Sequence, residues 1–255
     1  SGAVTTDTLL VAGGHDHPVA ASYIRRHAAD AIVDSLGTAE LIYAEADHYS
    51  PLPRTGLVHS PAILGDGGHA LTYVFQLARA IDPVTNLPGG RDLLEAAAIL
   101  TGTPSTDPWL PTDSAIEALP TRLQADEPQR LAIVRSVLEG CAFVARSVID
   151  EMRLAGGVNG PVYCSGGRSR SNAWMKLRAD ALGAPVHRMA EDEQAALGAA
   201  LIALSATAIG PIKQSAPAVS SFEPDKAAAA LFTSRFEPCA AAFRELRAPP
   251  RRPIS

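Results

Sequence analysis

The chain has 255 residues, 47% of them hydrophobic and 19% charged, with 22 Lys and Arg against 27 Asp and Glu and a formal charge of −5. That balance supports a substantial core in one large domain or two small ones, and it excludes a protein that wraps nucleic acid through overall basicity. No apolar run reaches the ~18–20 residues of a membrane span, and no basic, apolar and small-residue succession marks a secretory leader, so a soluble, cytoplasmic protein with no membrane partner is expected.

Thr8 to Ala12 is apolar and β-branched and reads as a strand, Gly13-Gly14-His15-Asp16-His17 as a tight turn, and Val19 to Ala29 as a helix with Pro18 in its first turn. Ala31 to Asp34 and Ala39 to Ala44 form a hairpin around Gly37-Thr38. Residues 47–68 read as loop, His69 to Ala80 as a helix from the spacing of Leu71, Val74, Phe75 and Ala78, and residues 82–127 as a loop-rich insertion around one short helix, Arg91 to Leu100. Pro128 to Leu154 is the strongest helix, stopped by Gly156-Gly157. A strand, Pro161 to Cys164, then runs into Ser165-Gly166-Gly167 and a helix from Ser171 to Leu182. A strand at Pro185 to Arg188 leads to a helix from Gln194 to Ala208 with Gly198 in its interior. Residues 210–224 read as a linker, Asp225 to Leu246 as a last helix, and 248–255 as a disordered tail. The alternation indicates an α/β domain. Cys141, Cys164 and Cys239 are odd in number and far apart, which suits small core residues rather than disulfides or zinc ligands.

Three glycine-containing turns follow apolar strands, and each could present backbone N–H groups to an anion. Asp16, between two imidazoles and beside two glycines, is the best candidate for a reacting group, a general base able to take the proton of an attacking hydroxyl. Its structural alternative is to cap the helix that follows. His15 and His17 are open to roles as solvated turn residues, substrate hydrogen-bonders or metal ligands. Trp109 reads as a packing anchor, Glu139 as structural, the acidic run 191–193 as a solvated helix start, and Arg168 and Arg170 as either solvated or in touch with phosphate or a partner domain.

The order of Gly13-Gly-His-Asp-His17, Ser35-Leu-Gly-Thr38, Gly67-Gly-x-Ala-Leu-x-Tyr73, Ser136-Val-Leu-Glu-Gly140-Cys-Ala-Phe143, Ser165-Gly-Gly167, Ala179-Asp-Ala-Leu-Gly-Ala-Pro-Val186 and Ala196-Leu-Gly-Ala-Ala200 resembles the C-terminal domain of FGGY-type carbohydrate kinases over residues 8–208. The resemblance implies a ribonuclease-H-like domain of the actin and hexokinase kind, a mixed sheet flanked by helices, spanning residues 1–209. It implies Asp16 as the catalytic base, His15 and His17 as sugar-pocket residues, Gly37, Thr38 and Gly68 around the terminal phosphates of ATP, and Gly166, Gly167 and Asn172 around adenosine. ATP and Mg²⁺ are the implied cofactors, and a sugar or polyol the implied substrate.

Two positions depart from the family pattern, Lys176 where glutamine is usual and Tyr73 where tryptophan is usual. The family's N-terminal domain, with its Asp-x-Gly-Thr turn, is not found in this sequence and would have to be supplied in cis or in trans; a homodimer is left open. The expected activity is therefore phosphorylation of a sugar or polyol hydroxyl, with this chain as the nucleotide-binding, base-supplying half. A second reading is a non-catalytic nucleotide-binding or interaction module, and a third is a metal-dependent hydrolase built on His15-Asp16-His17.

Overall fold

The computed structural model describes residues 8–51, 56–63, 68–100, 107–191, 193–207 and 217–247. Its elements are α1 (Asp16–His27), β1 (Ile32–Leu36), β2 (Glu40–Ala46), β3 (Val58–Pro61), β4 (His69–Phe75), α2 (Leu77–Thr85), α3 (Gly90–Ile99), α4 (Asp113–Arg122), α5 (Glu127–Gly156), β5 (Val162–Ser165), a 3₁₀ turn (Gly167–Arg170), α6 (Asn172–Leu182), β6 (Val186–Met189), α7 (Gln194–Ser205), β7 (Val219–Phe222), α8 (Lys226–Phe236) and α9 (Ala240–Arg247). The strands make one mixed sheet in the order β3-β4-β2-β1-β5-β6-β7. Within it β2 is antiparallel to β1 and β4, whereas β5 and β6 run parallel to β1. This is the ribonuclease-H-like arrangement, extended by one antiparallel strand at each edge.

The sheet is covered on both faces. Strand alternation sends Ile32, Leu36, Ile42 and Leu71 to one side, where α5, α6, α8 and α9 meet them through Val134, Leu138, Met175, Phe232 and Phe243. Val33, Leu41, Tyr43 and Ala70 point to the other side and pack with Ile24 of α1 and Leu201 of α7. The 30-residue helix α5 runs through the thicker layer between a cap by Asp126, whose carboxylate accepts from the Gln129 amide at 3.0 Å, and a left-handed Gly157. Cys141 and Cys164 are free and buried, and Trp109 is a core residue against Gly140.

Six expectations need correction. Thr8 to Ala12 forms no strand and lies exposed along its length, Leu9 and Leu10 included, so its apolar side chains cover no sheet face. Residues 47–68, read as loop, carry β3, which pairs with β4. The segment from His69 is a strand as far as Phe75, paired residue for residue with β2, and helix begins only at Leu77. Its apolar residues satisfy a period of two as well as one near 3.6, and the sheet selects the former. Residues 82–127 carry the end of α2 and all of α3 and α4, with Pro83 inside α2 and Pro120 inside α4. The stretch read as a linker contains β7, which pairs with β6. The last helix is broken at Pro238 into α8 and α9, joined by a 3₁₀ turn. The segments 101–106 and 208–216, the tail beyond 247, and Gly65, Asp66, Gly67 and Asp192 lie outside the described residues.

Helix α1 rests on α7 by backbone approach. A Cβ on Gly198 would stand 2.0 Å from the Val19 carbonyl oxygen, so only glycine lets the two helices lie this close. Gly198→Ala is expected to destabilise the fold by about 1–3 kcal/mol, the usual cost of overpacking, read as a lower urea midpoint at unchanged slope.

Candidate functional site

The parallel strands β1 and β5 end side by side, Ser35 opposite Ser165, and the chain turns at Gly37 and at Gly166 just beyond. Gly166 has φ +83°, and a Cβ there would lie 2.9 Å from the Leu36 carbonyl carbon, so a side chain is excluded both by conformation and by contact between the two turns. Helix N-termini gather at this end. The start of α1 is tied to β1 by a 3.1 Å hydrogen bond between His17 Nδ1 and Ser35 Oγ, and the start of α2 by donation from the Ala78 amide to the Thr38 carbonyl at 2.9 Å. The 3₁₀ turn and α6 leave from β5, and α7 leaves from β6. Helix N-termini carry partial positive charge and orphan N–H groups, so this end of the sheet attracts anions.

Asp16 occupies the first helical position of α1, with a side chain 76% exposed. It is not the cap: His15 holds that position without a side-chain hydrogen bond, and one Asp16 oxygen accepts from the His17 amide at 3.0 Å. The carboxylate therefore stands at the rim with room for a hydroxyl. His17 Nε2 lies 3.9 Å from it, so His17 is spent on orienting the turn between Asp16 and Ser35. His15 is exposed, and among the described residues no cluster of three His, Cys, Asp or Glu side chains could hold a metal.

Gly37 is held from the 3₁₀ turn that follows β5. Arg168 donates to the Gly37 carbonyl, and its other terminal nitrogen is 3.6 Å from Asp82 of α2. Asn172 opens α6 beneath a cap by Ser171, which accepts from the Trp174 amide at 3.0 Å; Arg188 donates to its side-chain oxygen at 3.2 Å and turns its amide nitrogen outward. A pocket of about 510 Å³ opens one residue further on, walled by Ala98, Ile99, Leu100 and Ala173. Its floor carries Lys176 paired to Asp180 at 2.5 Å.

Gly68 is not brought to this end. It precedes His69, which pairs with Ala46, whereas the Gly37 turn adjoins Glu40 at the other end of β2, on the order of 20 Å away at the rise of a strand. Tyr73, in the middle of β4, faces Arg247 of α9.

Beneath the Gly37 turn lies a feature that motif reading did not reach. Asp34 of β1 and Glu40 of β2 point to the same face, both fully buried, and meet Arg178 of α6 at 3.5 Å and 3.1 Å. Burial pushes both carboxyls up, Glu40 from the ordinary 4.5 to about 8, against the opposing pull of Arg178. The signal was present in the sequence as two acids inside an otherwise apolar hairpin, Ile32 to Ala44.

A model of the C-terminal domain of the FGGY family of carbohydrate kinases matches residues 67–207, more than half of the chain. The chain belongs to the FGGY family. The match includes Gly166, Gly167 and Asn172 but not Asp16, Gly37 or Thr38. Among curated FGGY relatives, the glycerol kinase of Aquifex aeolicus is 44% identical over 72 residues and that of Alkalilimnicola ehrlichii 38% identical over 91; these stretches are 28% and 35% of this chain but only 15% and 18% of theirs. Among solved structures, a xylulose kinase from Rhodospirillum rubrum superposes with TM-score 0.68 at 19% identity, covering 91% of this chain and 50% of that one. A xyloylose kinase from Brucella ovis gives 0.71 at 22%, covering 96% and 55%. The chain thus spans about half the length of these FGGY kinase structures, and the likeness carries the fold.

Removing Arg178 leaves two acids buried without a counter-charge. Arg178→Met is expected to lose about 3–5 kcal/mol at pH 8 and less at pH 5. Both carboxyls have raised pKa values in the fold, so stability from the pair is full at low pH and lost as pH climbs from 4.5 toward 8. Urea denaturation at the two pH values checks the sign.

Proposed function

We propose that this chain supplies the base and the nucleotide-binding half of an ATP-dependent sugar or polyol kinase. The observation that carries the reading is the gathering of glycine turns and helix N-termini at one end of a ribonuclease-H-like sheet, with the exposed carboxylate of Asp16 at its rim. On this reading the adenine ring lies against the apolar wall of Ala98, Leu100 and Ala173, and Asn172 offers its amide nitrogen. Gly166 and Gly167 let the ribose and first phosphate approach the backbone. The Gly37-Thr38 turn receives the terminal phosphates, held in place by Arg168 and by the Ala78 amide.

Phosphoryl transfer asks a protein for in-line positioning and neutralisation of charge more than for covalent steps. Asp16 accepts the proton of the attacking hydroxyl, and the helix dipoles oppose the charge that grows on the equatorial oxygens. Mg²⁺, when bound, would add neutralisation of phosphate charge, and the exposed Asp16 and the Arg168-paired Asp82 would hold it through water rather than cage it. His15 and His17 border the hydroxyl side and suit an uncharged, hydroxyl-rich substrate.

About half the length of the related structures lies beyond the matched region, which keeps a non-catalytic nucleotide-binding module as the second reading. A panel of pentoses, hexoses and polyols with MgATP, offered to the chain alone and together with an FGGY N-terminal domain, separates the two. Turnover in either arm supports the kinase, and ATP binding without turnover in both supports the module. In an active assembly Asp16→Asn is expected to lower turnover by at least about 10²-fold, the low end for a general base, with ATP affinity changed only a few-fold. Retained turnover refutes the assignment of Asp16.

A further inference from the structure

The least expected chemistry in the fold is the sealed acid pair under the Gly37 turn. Asp34 and Glu40 are 0% and 1% exposed and share one cation, Arg178, itself 0% exposed. One oxygen on each carboxyl, Asp34 Oδ1 and Glu40 Oε2, has no hydrogen-bond donor among the described residues. A proton held between the two carboxyls gives both a partner and reduces the enclosed charge from −1 to zero, which burial favours. The other groups facing the pair cannot supply that proton's charge balance: the Cys164 thiol of β5 lies 3.9 Å from Asp34, and burial keeps it, Cys141 of α5 and the Tyr73 hydroxyl of β4 in their neutral forms.

The pair sits where it bears on the site. Asp34 is three residues before Gly37, Glu40 two residues after Thr38, and Arg178 belongs to the helix that begins with Asn172. We propose that Glu40 is a positioning residue whose retained proton, shared with Asp34 over Arg178, holds the Gly37-Thr38 turn in the geometry that receives a nucleotide's terminal phosphates. Loss of the proton leaves two negative charges on one arginine directly below the turn, so the turn shifts or loosens and the terminal phosphates meet an added negative field. The proposal rests on the assignment of that turn to the terminal phosphates made above.

The test is the affinity of the full chain for MgATP and for AMP between pH 6 and 10, by calorimetry, in the wild type and in Glu40→Gln, which mimics the protonated carboxyl. Glu40 titrates near 8, so wild-type affinity for MgATP is expected to fall at least about fivefold between pH 7 and 9.5, the low end of ordinary coupling between sites, while affinity for AMP stays level. Glu40→Gln is expected to hold MgATP evenly over the same range. A level wild-type profile overturns the proposal, as does a parallel loss for AMP, which would mark general loosening of the fold. The wild-type ratio of MgATP to AMP affinity decides the matter even if the variant does not fold. Binding of neither nucleotide at any pH refutes the nucleotide site itself, a different result from a level profile.

Discussion

Strand β1 is pinned from both faces, and the candidate site depends on that. Alternation sends Ser35 toward α1, where it holds His17 and through it the turn carrying Asp16, and sends Asp34 toward α6, where it meets Arg178. Two consecutive residues thus set the positions of two elements that lie on opposite sides of a sheet. The Gly37 turn that follows inherits its position from both. Arg168 adds a third restraint from above by holding the Gly37 carbonyl, and Gly166 adds a fourth by closing the gap to β5. A shift in β1 would therefore move Asp16, the Gly37 turn and the start of α6 together.

Ion pairs are used in two different ways in the thicker helical layer. Glu139 of α5 holds Arg235 of α8 through two contacts of 3.0 and 2.8 Å, and Glu151 holds Arg247 of α9 at 2.8 and 2.5 Å with Ser147 completing the fork. Glu151 and Arg247 form a bidentate pair, one acid to one base, the geometry in which buried charge is best compensated, whereas Glu139 gives one oxygen to Arg235 and has Arg135 of its own helix 3.5 Å from the other. The Asp34, Glu40 and Arg178 group does not match. It encloses two acids against one base where apolar residues of the same volume would pack without desolvation cost. That excess of acid lies under the turn, whereas the groups that dock α8 and α9 carry at least one base for each acid.

Much of this was legible in the sequence for identifiable reasons. The β1–β2 hairpin, α5 with its Gly157 stop, the start of α6 at Ser171 and the glycine turns all follow from local signals, because stops and turns are decided by the residues that make them. The strand expected at Thr8 to Ala12 failed because a strand needs a partner edge as well as an apolar pattern, and this segment stays exposed outside the sheet. His69 to Phe75 failed because its apolar residues fit two periods and only β2 distinguishes them. Gly68 failed with it, since the direction of β4 carries that glycine to the far end of the sheet. The links from His17 to Ser35 and from Arg168 to Gly37 join residues 18 and 131 positions apart and became visible only once the sheet order was known.

Exposure of the rim bears on how such a site would work. Asp16 is open to solvent, and Thr38, Gly166 and Gly167 are exposed as well. A carboxylate in water is a weak base, and helix dipoles facing water are screened within the first turn. Such groups become more effective when a second surface covers them, because desolvation strengthens each interaction. The buried acid pair contrasts with this. It lies on the protein side of the turn, already out of water, so its charge state does not wait for closure. The fold therefore combines a rim whose chemistry is set by what covers it with a foundation whose chemistry is set in advance, and the Gly37 turn is where the two meet.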